Sequence, residues 1–268
     1  MSRYLGQHFL KNKAKLRKIV EALDLKDSDI VIEIGPGHGE LTRLLAENFQ
    51  FSNSNFQIIA IEKDKELADD LKEKFSQYKN IEIICGDALK ILPAIIHNSS
   101  FIIQNYKIVG NIPYYITGYL FRILGELEDK PSLIVLLIQK EVAERVVVKS
   151  TKMNLLAASV QFWAEPKIIG YVSRKDFKPA PKVDSAIIKL LPNYKDDKNN
   201  RENYYRFIKI LFKQPRKTIV NNVSKFKSLK VLSKEEIVEK LRKIGVEANA
   251  RPQDLSIEQI ITLSTLFS

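Results

Sequence analysis

The chain has 268 residues, 45% of them hydrophobic, and a formal net charge of +11. That length and composition allow a full core split into one large and one small domain, and no run of about 18 uncharged apolar residues is present to span a membrane. A single cysteine, Cys85, excludes internal disulfides, and three scattered histidines (His8, His38, His97) have no metal-ligand spacing.

A protein of a reducing compartment, without a metal, is expected. The basic, acid-free first twenty residues could suggest a transit peptide. They lack its Ser-rich stretch, and a signal peptide's apolar core is missing as well, so the segment is expected to belong to the mature, cytoplasmic protein. Clustered Lys and Arg favour a polyanionic partner. Residues 193–268 hold 16 Lys/Arg against 9 Asp/Glu, and the first twenty residues hold six basic side chains.

From Asp29 short apolar runs alternate with helical stretches. "DIVIEIG" (29–35) is expected to be a buried strand, followed by the helical "GELTRLLAENF". "QIIAIEKD" (57–64), "IEIICGD" (81–87), "YKIVGN" (106–111) and "SLIVLLIQ" (132–139) repeat the pattern. Such near-continuous apolar strands separated by helices predict a parallel sheet covered on both faces. "KIIGYVS" (167–173) and "SAIIKLL" (185–191), with no helix between them, predict an antiparallel hairpin at the sheet edge. "PNYKDDKNNREN" (192–203) has a linker's composition. Beyond it "YYRFIKILF", "KEEIVEKLRKIG" and "SIEQIITLSTLF" read as amphipathic helices. The expected architecture is a doubly wound, Rossmann-like α/β domain (1–192) followed by a small basic helical domain (193–268).

The first strand runs into Gly35, Gly37 and Gly39, spaced G-x-G-x-G, with Glu33 just before them. Glycines at a strand-to-helix turn let backbone approach a ligand. The spacing is one residue tighter than the dinucleotide fingerprint, and with the adjacent acid it suits a cationic nucleoside such as S-adenosylmethionine better than a pyrophosphate. Glu62 closes the second strand, where an acid can accept ribose hydroxyls or simply favour a helix N-terminus. Asp87 ends the third, where it could accept an adenine amine or cap the next helix. All three strand ends meet at the crevice where open α/β sheets bind ligands.

The fourth strand ends in "IVGNIPYYIT" (108–117), a polar, rigid and aromatic sequence that no core strand needs. Asn111, Ile112, Pro113 and Tyr114 suit an aminopurine. The exocyclic amine is a poor nucleophile because its lone pair is delocalised. The Asn111 side-chain oxygen and the Ile112 carbonyl, accepting its N–H bonds, would favour a tetrahedral nitrogen whose lone pair faces the donor. Pro113 stiffens the loop, and Tyr114 offers a stacking face worth roughly 1–3 kcal/mol. In-line positioning would carry most of the rate, with no metal required.

"YLGQHFL" (4–10), "EIGPGHGELT" (33–42), "GNIPYYIT" (110–117), "QKEVAERV" (139–146), "FKPAPKVDSAIIKL" (177–190) and "ARPQDLS" (250–256) resemble the motifs of the ribosomal RNA adenine dimethyltransferases, most of all the bacterial type acting on small-subunit RNA. The resemblance spans nearly the whole chain. It implies S-adenosylmethionine as methyl donor and two adjacent adenines near the 3′ end of small-subunit ribosomal RNA as acceptors, each methylated twice. By position it implies that Glu62 holds the donor ribose, Asp87 its adenine and the Gly35–Gly37 loop its methionine portion. His8 and Leu10 would help close the donor pocket, Asn111 would contact donor and target amine, and Phe177 would stack on the base opposite Tyr114. From the residues alone, Phe9 and Leu10 would be a hydrophobic staple and Phe177 a core aromatic.

The family often carries a basic pair where this chain has "FKQPRKTIVNN" (212–222). Pro215 replaces one Arg, and Arg216 and Lys217 remain as expected RNA contacts. The protein is expected to act as a monomer. The alternatives are a large-subunit adenine methyltransferase of the macrolide-resistance type and a non-catalytic ribosome-assembly or transcription factor of the same fold. A nicotinamide dehydrogenase is disfavoured by the glycine spacing.

Overall fold

The computed structural model describes residues 7–47, 55–97, 106–193, 198–224 and 233–267. Residues 4–6 of the first motif and 194–197 of the expected linker lie outside them. Among the described residues the strands are β1 (Phe9–Leu10), β2 (Ile30–Ile34), β3 (Gln57–Glu62), β4 (Ile81–Cys85), β5 (Tyr106–Asn111), β6 (Leu133–Gln139), β7 (Ala164–Val172), β8 (Phe177–Lys178) and β9 (Ser185–Pro192). The helices are α1 (Lys13–Ala22), α2 (Glu40–Glu47), α3 (Lys65–Lys74), α4 (Ala88–His97), α5 (Thr117–Glu126), α6 (Lys140–Val146), α7 (Leu155–Gln161), α8 (Lys198–Leu211), α9 (Ile219–Val223), α10 (Lys234–Lys243) and α11 (Ile257–Leu266).

Seven strands form one sheet in the order β4–β3–β2–β5–β6–β9–β7. β4, β3, β2, β5 and β6 pair in parallel, as continuous apolar runs require when helices cover both faces. β6 is the clearest case: Leu133 through Ile138 are all buried. The parallel series grows outward from β2 through β3 to β4, then resumes on the other side with β5, so a topological switch point lies between β2 and β5. Gly110 of β5 lies opposite Ile34, and a Cβ there would come within 2.5 Å of the Ile34 carbonyl oxygen. Only glycine lets the two strands meet this closely at the switch point.

The far edge carries the two strands expected there. β7 and β9 are neighbours, and β9 also pairs antiparallel with β6, over Ile134↔Leu190 to Gln139↔Ser185, leaving β7 outermost. A second sheet went unforeseen: β1 pairs antiparallel with β8, Phe9 opposite Lys178 and Leu10 opposite Phe177. Two-residue strands carry no alternation to read.

The contacts divide the chain into two units. One holds the described residues through Ala143 together with Pro166–Pro192, and the other holds Glu144–Glu165 with the described residues from Asn193 on. The single boundary expected at 192/193 thus misses a segment. Within the second unit Phe162 stacks on Tyr204 with ring centroids 3.9 Å apart, and the buried Tyr204 hydroxyl donates to the Ala158 carbonyl at 2.9 Å. Ala157 and Ala158 of α7 share one apolar core with α8, α9, α10 and α11. Residues 198–203, expected as linker, form the first turns of α8; a polar composition is shared by loops and amphipathic helices.

Beneath β2, at the edge of the sheet away from the strand C-termini, lies a buried ion pair. Lys107 Nζ is 2.7 Å from Asp29 Oδ2, with the two side chains 7% and 0% exposed. The same oxygen accepts the Lys26 N–H at 2.7 Å, and Lys107 also donates to the Asp24 carbonyl. Removing one partner of such a pair strands a buried charge. Lys107→Met is therefore expected to cost about 3–5 kcal/mol in denaturant unfolding, and adding Asp29→Leu should recover part of the loss. An unchanged midpoint for Lys107→Met would show that the pair contributes nothing.

Candidate active site

Five parallel strands end on one edge, and backbone bonds lace their ends together. The Gly35 N–H donates to the Ile61 carbonyl (3.0 Å), the Gly86 N–H to Glu62 (2.7 Å) and the Ile112 N–H to Leu137 (3.1 Å). Around them is a cleft of about 810 Å³, counting the space open to solvent. His8, Gly35, Gly37, Glu62 and Asp87, the residues expected to hold the donor, line it together with Asn111, Ile112, Pro113 and Tyr114.

Gly37 adopts a left-handed φ of 58°, and a Cβ there would sit 2.7 Å from the Phe9 ring. Phe9 lies over the loop, its ring centroid 4.3 Å from that of His38. The glycine therefore serves two needs at once: the turn itself and the close approach of the N-terminal strand. Glu62, 4% exposed, accepts the Gly37 N–H at 3.0 Å through Oε2 and the Asp64 N–H at 2.9 Å through Oε1. Its carboxylate is held rigidly at the cleft wall, and each oxygen keeps a further lone pair for a ligand hydroxyl.

Asp87 takes up the capping reading and gains a cation as well. Oδ1 accepts the Leu89 N–H at 3.0 Å, which caps α4, while Oδ2 pairs with Lys63 Nζ at 2.9 Å. The Lys63 hydrogen bond holds the Asp87 carboxyl below the usual carboxylate range, and Asp87 in turn holds the Lys63 ammonium above its own. Lys63 also lines the cleft. It was missed in the sequence, although it directly follows Glu62.

Asn111 is the best-determined group. Its Nδ2 donates to the His8 carbonyl at 2.7 Å. A carbonyl can only accept, so this bond fixes which end of the amide is nitrogen and leaves Oδ1 free to accept. The Ile112 carbonyl has no hydrogen-bond partner among the described residues. The His8 ring is itself held: Nδ1 lies 2.9 Å from the Pro179 carbonyl, which requires a proton on Nδ1. Lys11 N–H donates to the Asp176 carbonyl (2.8 Å) and Asn12 Nδ2 to Asp176 Oδ1 (2.8 Å). Tyr114 bonds Ser185 Oγ through its hydroxyl at 2.8 Å, and its ring lies 6.0 Å from the His8 ring. Burial, partly offset by that hydrogen bond, raises the Tyr114 phenol pKa, so the bond is made by the neutral form.

Two expected residues are placed differently. Phe177 is 6% exposed and Leu10 3%, and both belong to the apolar core that includes Leu16 and Val31. They face each other across the β1–β8 pair, so in this conformation they support the cleft wall and do not form it. Phe177 as a stacking face for a base is corrected accordingly: its ring is taken up by core packing. Arg216 and Lys217 are exposed in the turn between α8 and α9 of the second unit. Among the described residues no cluster of His, Cys, Asp and Glu could hold a metal, and no helix is long and apolar enough to cross a membrane.

Beneath the loop lies the acid that the sequence set beside the glycines as suited to a cationic nucleoside. Glu33 of β2 is 1% exposed, and its Oε2 accepts the Thr42 hydroxyl at 2.7 Å. Burial, opposed by that hydrogen bond and reinforced by Glu62 and Glu40, pushes its pKa up to about 8.

The chain matches the family model "Ribosomal RNA adenine dimethylase" over residues 1–268. It is 38% identical over 257 residues to a ribosomal RNA small subunit methyltransferase A of Dehalococcoides mccartyi, covering 95% of this chain and 84% of that one. The corresponding protein of Fusobacterium nucleatum is 35% identical over 268 residues, covering 98% and 96%. Among solved structures, a dimethyladenosine transferase from Plasmodium falciparum is similar with a TM-score of 0.76, 27% identity and 96% coverage of both chains. The 23S rRNA methyltransferase ErmE is similar with a TM-score of 0.74 at 26% identity, covering 97% of this chain and 99% of that one.

The buried Glu33 predicts a pH dependence of stability. Below about 4.5 both folded and unfolded chains hold the proton; above it the unfolded chain releases it first, so the native state loses stability until Glu33 itself ionises near 8. Glu33→Gln, which cannot ionise, should gain thermal stability relative to the parent as pH rises across that window. Melting curves that stay parallel from acid to mild alkali would show that Glu33 is not held protonated.

Proposed function

This chain belongs to the ribosomal RNA adenine dimethylase family and is an S-adenosylmethionine-dependent rRNA adenine dimethyltransferase; we propose that its acceptors are two adjacent adenines near the 3′ end of small-subunit ribosomal RNA, each dimethylated during small-subunit biogenesis in the cytoplasm. The names of the relatives at 35–38% identity support the small subunit, as do the "QKEVAERV" and "PKVDSAIIKL" segments. The likeness to ErmE keeps the large subunit as the competing substrate.

The observation that carries the reading is the locked Asn111 amide. With Nδ2 committed to the His8 carbonyl, Oδ1 is the acceptor offered at the cleft, next to the unpartnered Ile112 carbonyl. Two acceptors at adjacent positions fit the two N–H bonds of an exocyclic amine. Drawing on both would pull the nitrogen out of conjugation and aim its lone pair across the switch point, towards the glycine loop. Tyr114, its hydroxyl tethered to Ser185, supplies the stacking face, and Pro113 keeps the loop stiff. The donor supplies a methyl group activated on a sulfonium. The residues present fit it: Glu62 for the ribose hydroxyls, the Gly35–Gly37 backbone and His8 for the methionine portion, and Asp87 for the adenine amine. Catalysis is then mainly positioning. After transfer the alkylated amine is acidic enough to lose its proton without a dedicated base. The protein acts as a monomer, and Arg216 and Lys217 contact RNA phosphates, with Pro215 shifting that grip.

Labelled donor with small subunits lacking the modification, followed by nucleoside mass spectrometry, tests the whole reading: dimethyladenosine from small-subunit RNA is expected, and label confined to large-subunit RNA would transfer the assignment. Asn111→Ala should lower turnover by roughly 10²-fold or more, as losing a transition-state contact does; full turnover would remove Asn111 from the mechanism. Glu62→Ala should chiefly weaken donor binding, and calorimetry giving the parent's affinity would refute that role.

A further inference from the structure

At the mouth of the cleft the chain exposes aromatic surface that the mechanism leaves unused. Tyr115 is 63% exposed and Tyr119 55%, the two most exposed large apolar side chains among the described residues. Tyr115 also lines the cleft, immediately after the base-stacking Tyr114. On α5 the buried side is made by Thr117, Leu120, Phe121, Ile123 and Leu124, so Tyr119 sits on the opposite, solvated side. A solvated helix position is ordinarily filled by a charged or small polar residue. Tyrosine there leaves a large apolar face in water with no internal partner to justify it.

The spacing adds a direction. Tyr115 and Tyr119 are four residues apart where a 3-10 turn (Tyr114–Ile116) runs straight into α5, so they are neighbours on the surface. Helical side chains lean towards the helix N-terminus, which tilts Tyr119 towards Tyr115 and the cleft. Gly118 between them leaves open space, with no atom within 4 Å of where a Cβ would stand. Lys63 lines the same cleft as Tyr115, its ammonium paired with Asp87.

We propose that Tyr115 and Tyr119 form a second nucleobase subsite, a stacking platform on the cleft rim that holds the nucleotide flanking the target adenine in single-stranded RNA. The inference rests on the cleft being the adenine site. A base drawn out of an RNA strand brings its neighbour to within one nucleotide of the cleft mouth, and an exposed aromatic face is what single-stranded nucleic acid uses there, whichever base arrives. The strong positive charge of the chain favours this occupant over an apolar peptide.

The test is steady-state kinetics on unmodified small subunits, with donor affinity and melting temperature measured on each variant. Tyr119→Ala should raise KM for the subunit about tenfold, with donor affinity and melting temperature unchanged. Tyr119→Phe should stay close to the parent, and Tyr119→Leu, apolar but without a flat face, should behave like Tyr119→Ala. An active Tyr119→Ala enzyme with the parent's KM would overturn the platform while leaving the activity assignment intact. A Tyr119→Leu enzyme equal to the parent would also overturn it, because stacking would not be the cause. Absence of transfer by the parent protein would instead remove the reading of the cleft, and the platform with it.

Discussion

The hydrogen bond from Asn111 to the His8 carbonyl is the constraint on which the site turns. It joins the end of a central strand to the N-terminal segment, and it alone sets the direction of the amide. The carbonyl is fixed in turn by the segment that follows it: the β1–β8 pairing, the His8 ring on Pro179, and the Lys11 and Asn12 bonds to Asp176. Phe9, the next residue, lies over Gly37, so the same segment that aims the acceptor amide also packs on the donor loop. On the proposed mechanism, orientation of one reactant and enclosure of the other would therefore be mechanically a single feature.

Three acids approach the strand ends, and the fold treats each differently. Glu33 is buried with one hydroxyl partner, and its proton is retained well above the usual carboxyl range. Glu62 is equally enclosed but meets two backbone N–H groups, which replace lost water without adding a charge. Asp87 stays near solvent and takes a lysine. Three carboxylates crowded at one edge would repel; dispersing them among a proton, the backbone and a cation keeps a ligand-facing acid available where hydroxyls are expected.

Much of this was legible in the sequence because strand ends leave local marks. The apolar runs ending at Ile34, Glu62, Cys85 and Asn111 gave the sheet, and a parallel sheet forces such ends to one edge. What escaped depends on long-range pairing. β1 and β8 are too short for periodicity, so nothing local announced that Leu10 and Phe177 would be covered by each other, although the residues alone had read Phe177 as a core aromatic. Residues 144–165 cluster with the C-terminal helices through Phe162 and Tyr204, a contact no local pattern contains. The polar start of α8 resembled a linker because a solvated helix face and a loop share composition. Lys63 was overlooked because a lysine at a helix entrance is ordinary until its partner is seen.

On the proposed mechanism, the β1–β8 pairing would also govern when the protein can become competent. His8 meets Pro179 across 171 positions of chain. During synthesis the glycine loop and the NIPY segment emerge early, but the strand that covers one and orients the other has no partner until residues 177–179 have left the ribosome. A nascent chain shorter than that holds the chemistry-bearing residues without the clamp that aims them. Closing so long a loop is also the slow kind of contact, made after the local helices and the adjacent strands of the sheet. Ordering of the cleft is thereby tied to near-completion of the sheet, and truncated products of the chain are left with an unaimed amide.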